Sequence, residues 1–134
     1  MKKQLNDEDG TTLYSADGIL KLYGVKDLEI LLLETSSFCG CTSNVKIDFD
    51  HHKGLFGTLA MIKTIAYIYY FGSVDTFTKI KILFTHAAGT IIYLWSLKYV
   101  KDGPIYELWL EGFLNIEPKF EDRFEMLPKM INFY

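Results

Sequence analysis

Two of the 17 acidic residues, the three histidines and the two cysteines are the groups whose placement in this chain suggests chemistry. Asp17 stands beside Gly18 just before the apolar residues Ile19 and Leu20, and Glu34 closes a second apolar run, Ile30-Leu31-Leu32-Leu33. Side chains on extended backbone alternate faces, so Glu34 and Ser36 point the same way as Leu32, and Asp17 on an adjoining strand can meet Glu34 across a hairpin. Two hard carboxylate oxygens with open water positions suit Mg²⁺, which polarises a phosphate and lowers the pKa of bound water. Two plainer readings stand beside this one. Asp17 can be a turn residue next to Gly18, and Glu34 a strand-end carboxylate facing solvent.

His51-His52-Lys53 opens a long apolar segment, where a histidine can approach phosphate or metal near a helix N-terminus. As first-turn residues the two histidines can equally be solvated. His86 ends an apolar run just before Ala87-Ala88-Gly89, as a site residue or as a turn histidine bonded to backbone. Cys39 and Cys41 are separated by one residue, a poor geometry for a disulfide, and no paired C-x-x-C spacing supports zinc. They read as free thiols in a reducing cytoplasm or nucleus. No G-x-S-x-G elbow, P-loop or dinucleotide fingerprint occurs, so a Ser-His-Asp hydrolase is present in residue inventory only.

The elements that must position these groups follow from periodicity and turn signals. Residues 1–12 carry few apolar groups and read as a disordered or extended tail, with one domain over 13–134. Ile19 to Tyr23 and Leu28 to Ser36, joined through Gly24 to Asp27, read as a hairpin whose second strand is buried on both faces. A loop then leads to a helix with its N-cap around Asp48-Phe49-Asp50, its sheet-facing side formed by Leu55, Leu59, Ile62 and Ala66. Ser73 is placed to cap a short helical turn. Ile80 to His86, Thr90 to Tyr99 and Ile105 to Glu111 read as a three-strand meander, and Phe120 to Phe133 as a terminal helix that Pro128 should kink or end. The fold class is therefore α+β: a central mixed sheet of about five strands covered by one long helix, with a short C-terminal helix.

At Ala16-Asp17-Gly18 and Glu34-Thr35-Ser36 the chain resembles the PD-(D/E)XK nuclease superfamily, which has a restriction-endonuclease-like core. That resemblance implies Asp17 and Glu34 as catalytic carboxylates and Mg²⁺ as the cofactor. The ion would be held by both side chains with help from the Thr35 carbonyl. It also implies nucleic acid as the substrate. Ser36 stands where the family carries its lysine, so the motif is degenerate and activity is open; Lys46 and Lys53 are the nearest substitutes on a neighbouring element. The family core usually begins with a helix bearing an acidic residue, and residues 1–12 leave little room for one, which implies a truncated core. The wording Glu29-Ile30-Leu31-Leu32-Leu33-Glu34-Thr35-Ser36, Lys53-Gly54-Leu55-Phe56-Gly57-Thr58-Leu59-Ala60-Met61 and Trp95-Ser96-Leu97 looks like expanded fungal families with nuclease-like cores. Such families bring no assigned activity.

Composition bounds these expectations. A net charge of −3 gives no global attraction to a polyanion, so nucleic-acid contact would need a local basic patch. The start Met1-Lys2-Lys3 turns acidic where a signal peptide needs apolar residues, and Lys63 in the middle of Gly54 to Gly72 would cost on the order of 2.5–3.5 kcal/mol inside a bilayer. An intracellular protein with no membrane partner is expected. Tyr93, Trp95, Tyr99, Tyr106 and Trp109 concentrate aromatics on the meander. These either pack the sheet or form a face for a protein partner or a homodimer, which is the non-catalytic alternative.

Overall fold

The computed structural model describes residues 16–36, 43–103, 105–116, 121 and 123–133. The expected tail and the two cysteines lie outside them. Five strands and three helices follow in the order β1 (Gly18–Leu22), β2 (Leu28–Thr35), α1 (Asn44–Ile68), α2 (Val74–Phe77), β3 (Lys81–Ala88), β4 (Ile91–Tyr99), β5 (Tyr106–Asn115) and α3 (Arg123–Phe133). The strands lie side by side in sequence order, all antiparallel to their neighbours except β2 and β3, which run parallel. Parallel neighbours need a crossover, and α1 supplies it. The result is an α+β fold, a five-stranded mixed sheet packed against one long helix with a short helix at the C-terminal end.

The β1–β2 turn is built from left-handed backbone at Gly24 (φ 83°), Lys26 (φ 53°) and Asp27 (φ 51°). Glycine adopts that region freely, and Asp tolerates it through its short polar side chain. Gly18, Ile19 and Leu20 pair with Leu33, Leu32 and Leu31, after which a bulge shifts the register so that Lys21 faces Glu29. Just before the Gly18–Leu33 pair, Asp17 is tied by its carboxylate to Thr35 at the end of β2.

The core lies between α1 and the sheet, where Leu32, Met61, Ile62, Ile82 and Phe84 are completely buried. Burying each such side chain contributes about 1.5–3 kcal/mol relative to exposure. The buried stripe of α1 runs Asp50, Gly54, Gly57, Thr58, Met61, Ile62, Ile65. Leu55 and Leu59, expected at its centre, are only partly buried at its flank. Small residues occupy the contact instead because the ring of Phe84 fills the space there: a Cβ added at Gly54 would lie 2.0 Å from two of its carbons.

Helix α1 begins at Asn44 after Ser43, earlier than the Asp48–Asp50 start expected from the sequence. Asp50 is consequently a helix-interior residue facing the sheet, and only 5% exposed. Ser73 does cap α2, its hydroxyl accepting the Asp75 N–H at 3.2 Å. β5 extends to Asn115, four residues past its expected end, and α3 continues through Pro128. Among the described residues no helix is long and apolar enough to cross a membrane.

Candidate functional site

The C-terminal ends of the parallel strands β2 and β3, the first residue before β1 and the N-terminal half of α1 meet at one end of the sheet. In open sheets with parallel strands this is where ligands usually bind, because the crossover helix and the strand ends leave a crevice there.

Asp17 is exposed at the rim. Its Oδ2 accepts the Thr35 N–H at 2.7 Å and the Thr35 hydroxyl at 2.6 Å. The Thr35 hydroxyl, together with its amide and the charges of Lys53 and Lys46, holds the Asp17 carboxyl below its ordinary value against a smaller opposing effect of burial. Asp17 is therefore a fixed anion tied across the hairpin, more than an ordinary turn residue.

Glu34 is 1% exposed, so the reading of a solvent-facing strand-end carboxylate does not hold. It lies opposite His86 in the β2–β3 register. Lys53 Nζ donates to Glu34 Oε2 at 2.6 Å, while Glu34 Oε1 has no hydrogen-bond partner among the described residues. Burial pushes the Glu34 carboxyl above its ordinary value. The Lys53 hydrogen bond and charge pull it down, and the neighbouring charges of Asp17 and Asp50 raise it again.

Lys53 thus stands from the helix beside the carboxylate whose strand neighbour Ser36 could not supply a positive charge. Lys46, the other substitute considered, is instead 3.3 Å from Asp50 Oδ2 one turn along α1. Ser36 is buried, and its Oγ shares a 2.8 Å hydrogen bond with His86 Nε2. Ser36 N–H also donates to the Ala87 carbonyl at 2.8 Å, which pins the end of β2 to β3.

His51 is not a solvated first-turn residue but a half-buried one in the second turn of α1. Its ring sits among Phe84 (5.8 Å), His86 (5.7 Å) and Trp95 (5.2 Å between centroids). His52 points away and bonds the Asp48 carbonyl oxygen at 2.7 Å through Nδ1. Burial lowers the pKa of both His51 and His86 from the ordinary 6.5.

His86 stood among the candidates and Ser36 at the position of the family's lysine, but their pairing, and Asp50 as a neighbour of Glu34, were not legible in the sequence. The only signal available was that Asp50, Lys53 and Gly54 share a helical face, which becomes visible once the helix start is moved back to Asn44.

The expected aromatic face is divided. Trp95, Tyr99 and Tyr106 pack against the core, Tyr93 lies 6.5 Å from Trp95, and Trp109 is 56% exposed with its Nε1–H on Glu107 Oε2 at 3.0 Å.

Whether a Mg²⁺ ion suits this place can be judged from its donors. Glu34 Oε1 is a buried carboxylate oxygen without a hydrogen-bond partner among the described residues, and Asp17 is near enough for its charge to act on Glu34; carboxylate oxygens, with the Thr35 carbonyl beside them in sequence, are the hard donors such an ion prefers. No group of three or more His, Cys, Asp or Glu side chains among the described residues is placed to hold a metal. An ion here would rest on two carboxylates and a carbonyl and complete its shell with water, as Mg²⁺ commonly does.

No protein-family model, curated protein or solved structure matches the chain.

Proposed function

We propose that this chain is a degenerate restriction-endonuclease-like domain, derived from a metal-dependent phosphodiesterase of the PD-(D/E)XK type whose substrate class is nucleic acid, and that it works inside the cell. The observation that carries the reading is the 2.6 Å contact of Lys53 with Glu34, beside Asp17, at the strand ends where such chemistry is carried out. Asp17, Glu34 and the Thr35 carbonyl would hold Mg²⁺. When bound, the ion supplies charge to the scissile phosphate and acidifies a water molecule. Lys53 supplies the positive charge missing at Ser36 and orients the attacking water, and Thr35 fixes the Asp17 carboxylate in place.

Calorimetry with Mg²⁺ or Mn²⁺ tests this reading, comparing the parent with the double variant Asp17→Ala, Glu34→Ala. Binding present in the parent and lost in the variant supports it and leads directly to cleavage assays on DNA and RNA. An ion that binds both proteins equally, or neither, removes the metal reading.

A second reading, a non-catalytic domain that binds a protein, rests on the edge strand β5. There Trp109, Leu110 and Phe113 are 56%, 45% and 64% exposed on a strand whose outer edge pairs with no other strand among the described residues. Sedimentation of the parent beside a Leu110→Lys, Phe113→Lys variant distinguishes self-association through β5 from a monomer.

A further inference from the structure

We infer that Lys53 is the resident counter-cation of the Asp17–Glu34 pair, so that its ammonium and a divalent ion compete for Glu34. The inference rests on the metal reading of the site and deepens it by assigning how that site is held and opened. Glu34 is 1% exposed, and an isolated carboxylate so far from water needs a cation. Lys53 meets that need at 2.6 Å, while the other nearby lysine, Lys46, lies 3.3 Å from Asp50 Oδ2.

Only one of the two Glu34 oxygens is engaged in this way; Oε1 has no hydrogen-bond partner among the described residues. A divalent ion drawn to that oxygen would come within a few ångströms of the ammonium on Oε2. Two positive centres that close repel strongly where little water screens them.

The geometry gives the ammonium somewhere to go. The Lys53 side chain is 19% exposed, so its flexible four-carbon stem already reaches the surface from α1. Displaced from Glu34, it faces outward at the mouth of the site, where an anionic phosphate would arrive. One lysine would thus stabilise the empty site and serve the filled one, which explains why the strand position held by Ser36 can do without a charge.

The test measures Mn²⁺ binding by calorimetry to the full chain, with melting temperature recorded with and without the ion. The proteins are the parent, Lys53→Met, Lys53→Gln and the double variant Asp17→Ala, Glu34→Ala. Gln keeps an N–H donor for Glu34 without the charge, which preserves a folded protein if Met leaves the buried carboxylate too exposed to repulsion. Both lysine variants should bind the ion about tenfold more tightly than the parent or better, and the ion should raise their melting temperatures more than it raises the parent's. A lysine with a merely structural role would lower the melting temperature without tightening the ion. If binding requires the two carboxylates but the lysine variants bind no more tightly than the parent, the competition is refuted while the metal reading stands. If no protein binds the ion, or the double variant binds it as the parent does, both fail.

Discussion

Gly54 and Phe84 touch so closely that no side chain fits between them: a Cβ at position 54 would lie 2.0 Å from the Phe84 Cε2 and Cζ atoms. This contact lets the first half of α1 lie flat on β3, and it places the adjacent Lys53 within reach of the end of β2. Gly54→Ala should therefore destabilise the fold by about 1–3 kcal/mol through overpacking, despite the better helix propensity of alanine. Urea unfolding measures this, and an unchanged midpoint would show that the helix can lift off the ring at no cost.

The Ser36–His86 hydrogen bond is buried on both sides, at 1% and 2% exposure. Removing one partner strands the other away from water, so Ser36→Ala should cost about 1–3 kcal/mol. Chemical denaturation of this variant beside Ser36→Thr, which keeps the hydroxyl, separates loss of the bond from a change in size.

Burial holds the pKa of His51 and His86 below 6.5, helped by the charge of His52 on His51 and of His51 on His86, and opposed by Asp48 and Asp50 respectively. Between the folded and ordinary values the unfolded chain binds more protons than the native one. Stability therefore falls as pH drops through 6.5 and goes on falling until the folded values are passed. Glu34, held above its ordinary value of 4.5, acts with the opposite sign at lower pH. The difference between the parent and His86→Gln, measured by urea unfolding from pH 7.5 to 5.5, isolates the histidine contribution; a parallel dependence in the two proteins would contradict it.

Glu34 and Lys53 form a buried pair, in which breaking one side is far costlier than replacing both. Lys53→Met alone, without added metal, should lose about 3–5 kcal/mol because it leaves a buried carboxylate unpaired. The double replacement Lys53→Met, Glu34→Leu should lie much closer to the parent. A double-mutant cycle on thermal or urea unfolding reads the coupling, and additive losses would mean that the two side chains do not depend on each other.

Local patterning was sufficient for the strands, the order of elements and the convergence of Asp17 with the end of β2. Apolar runs such as Ile30 to Leu33 and turn residues such as Gly24 and Asp27 act over a few positions, and their signals survive without tertiary information. Periodicity also announced a long helix, but not the side it turns to the sheet, because that side contains Asp50, Gly54 and Thr58, which look polar or neutral in a pattern of apolar residues. Only packing against Phe84 selects them. The same packing determines that Lys53, not Lys46, reaches Glu34, and that Ser36 is joined to His86, fifty positions away. Contacts between distant residues depend on how the crossover helix settles on the parallel strands. That placement is decided by the fit of side-chain volumes across the whole core, which no short stretch of sequence contains.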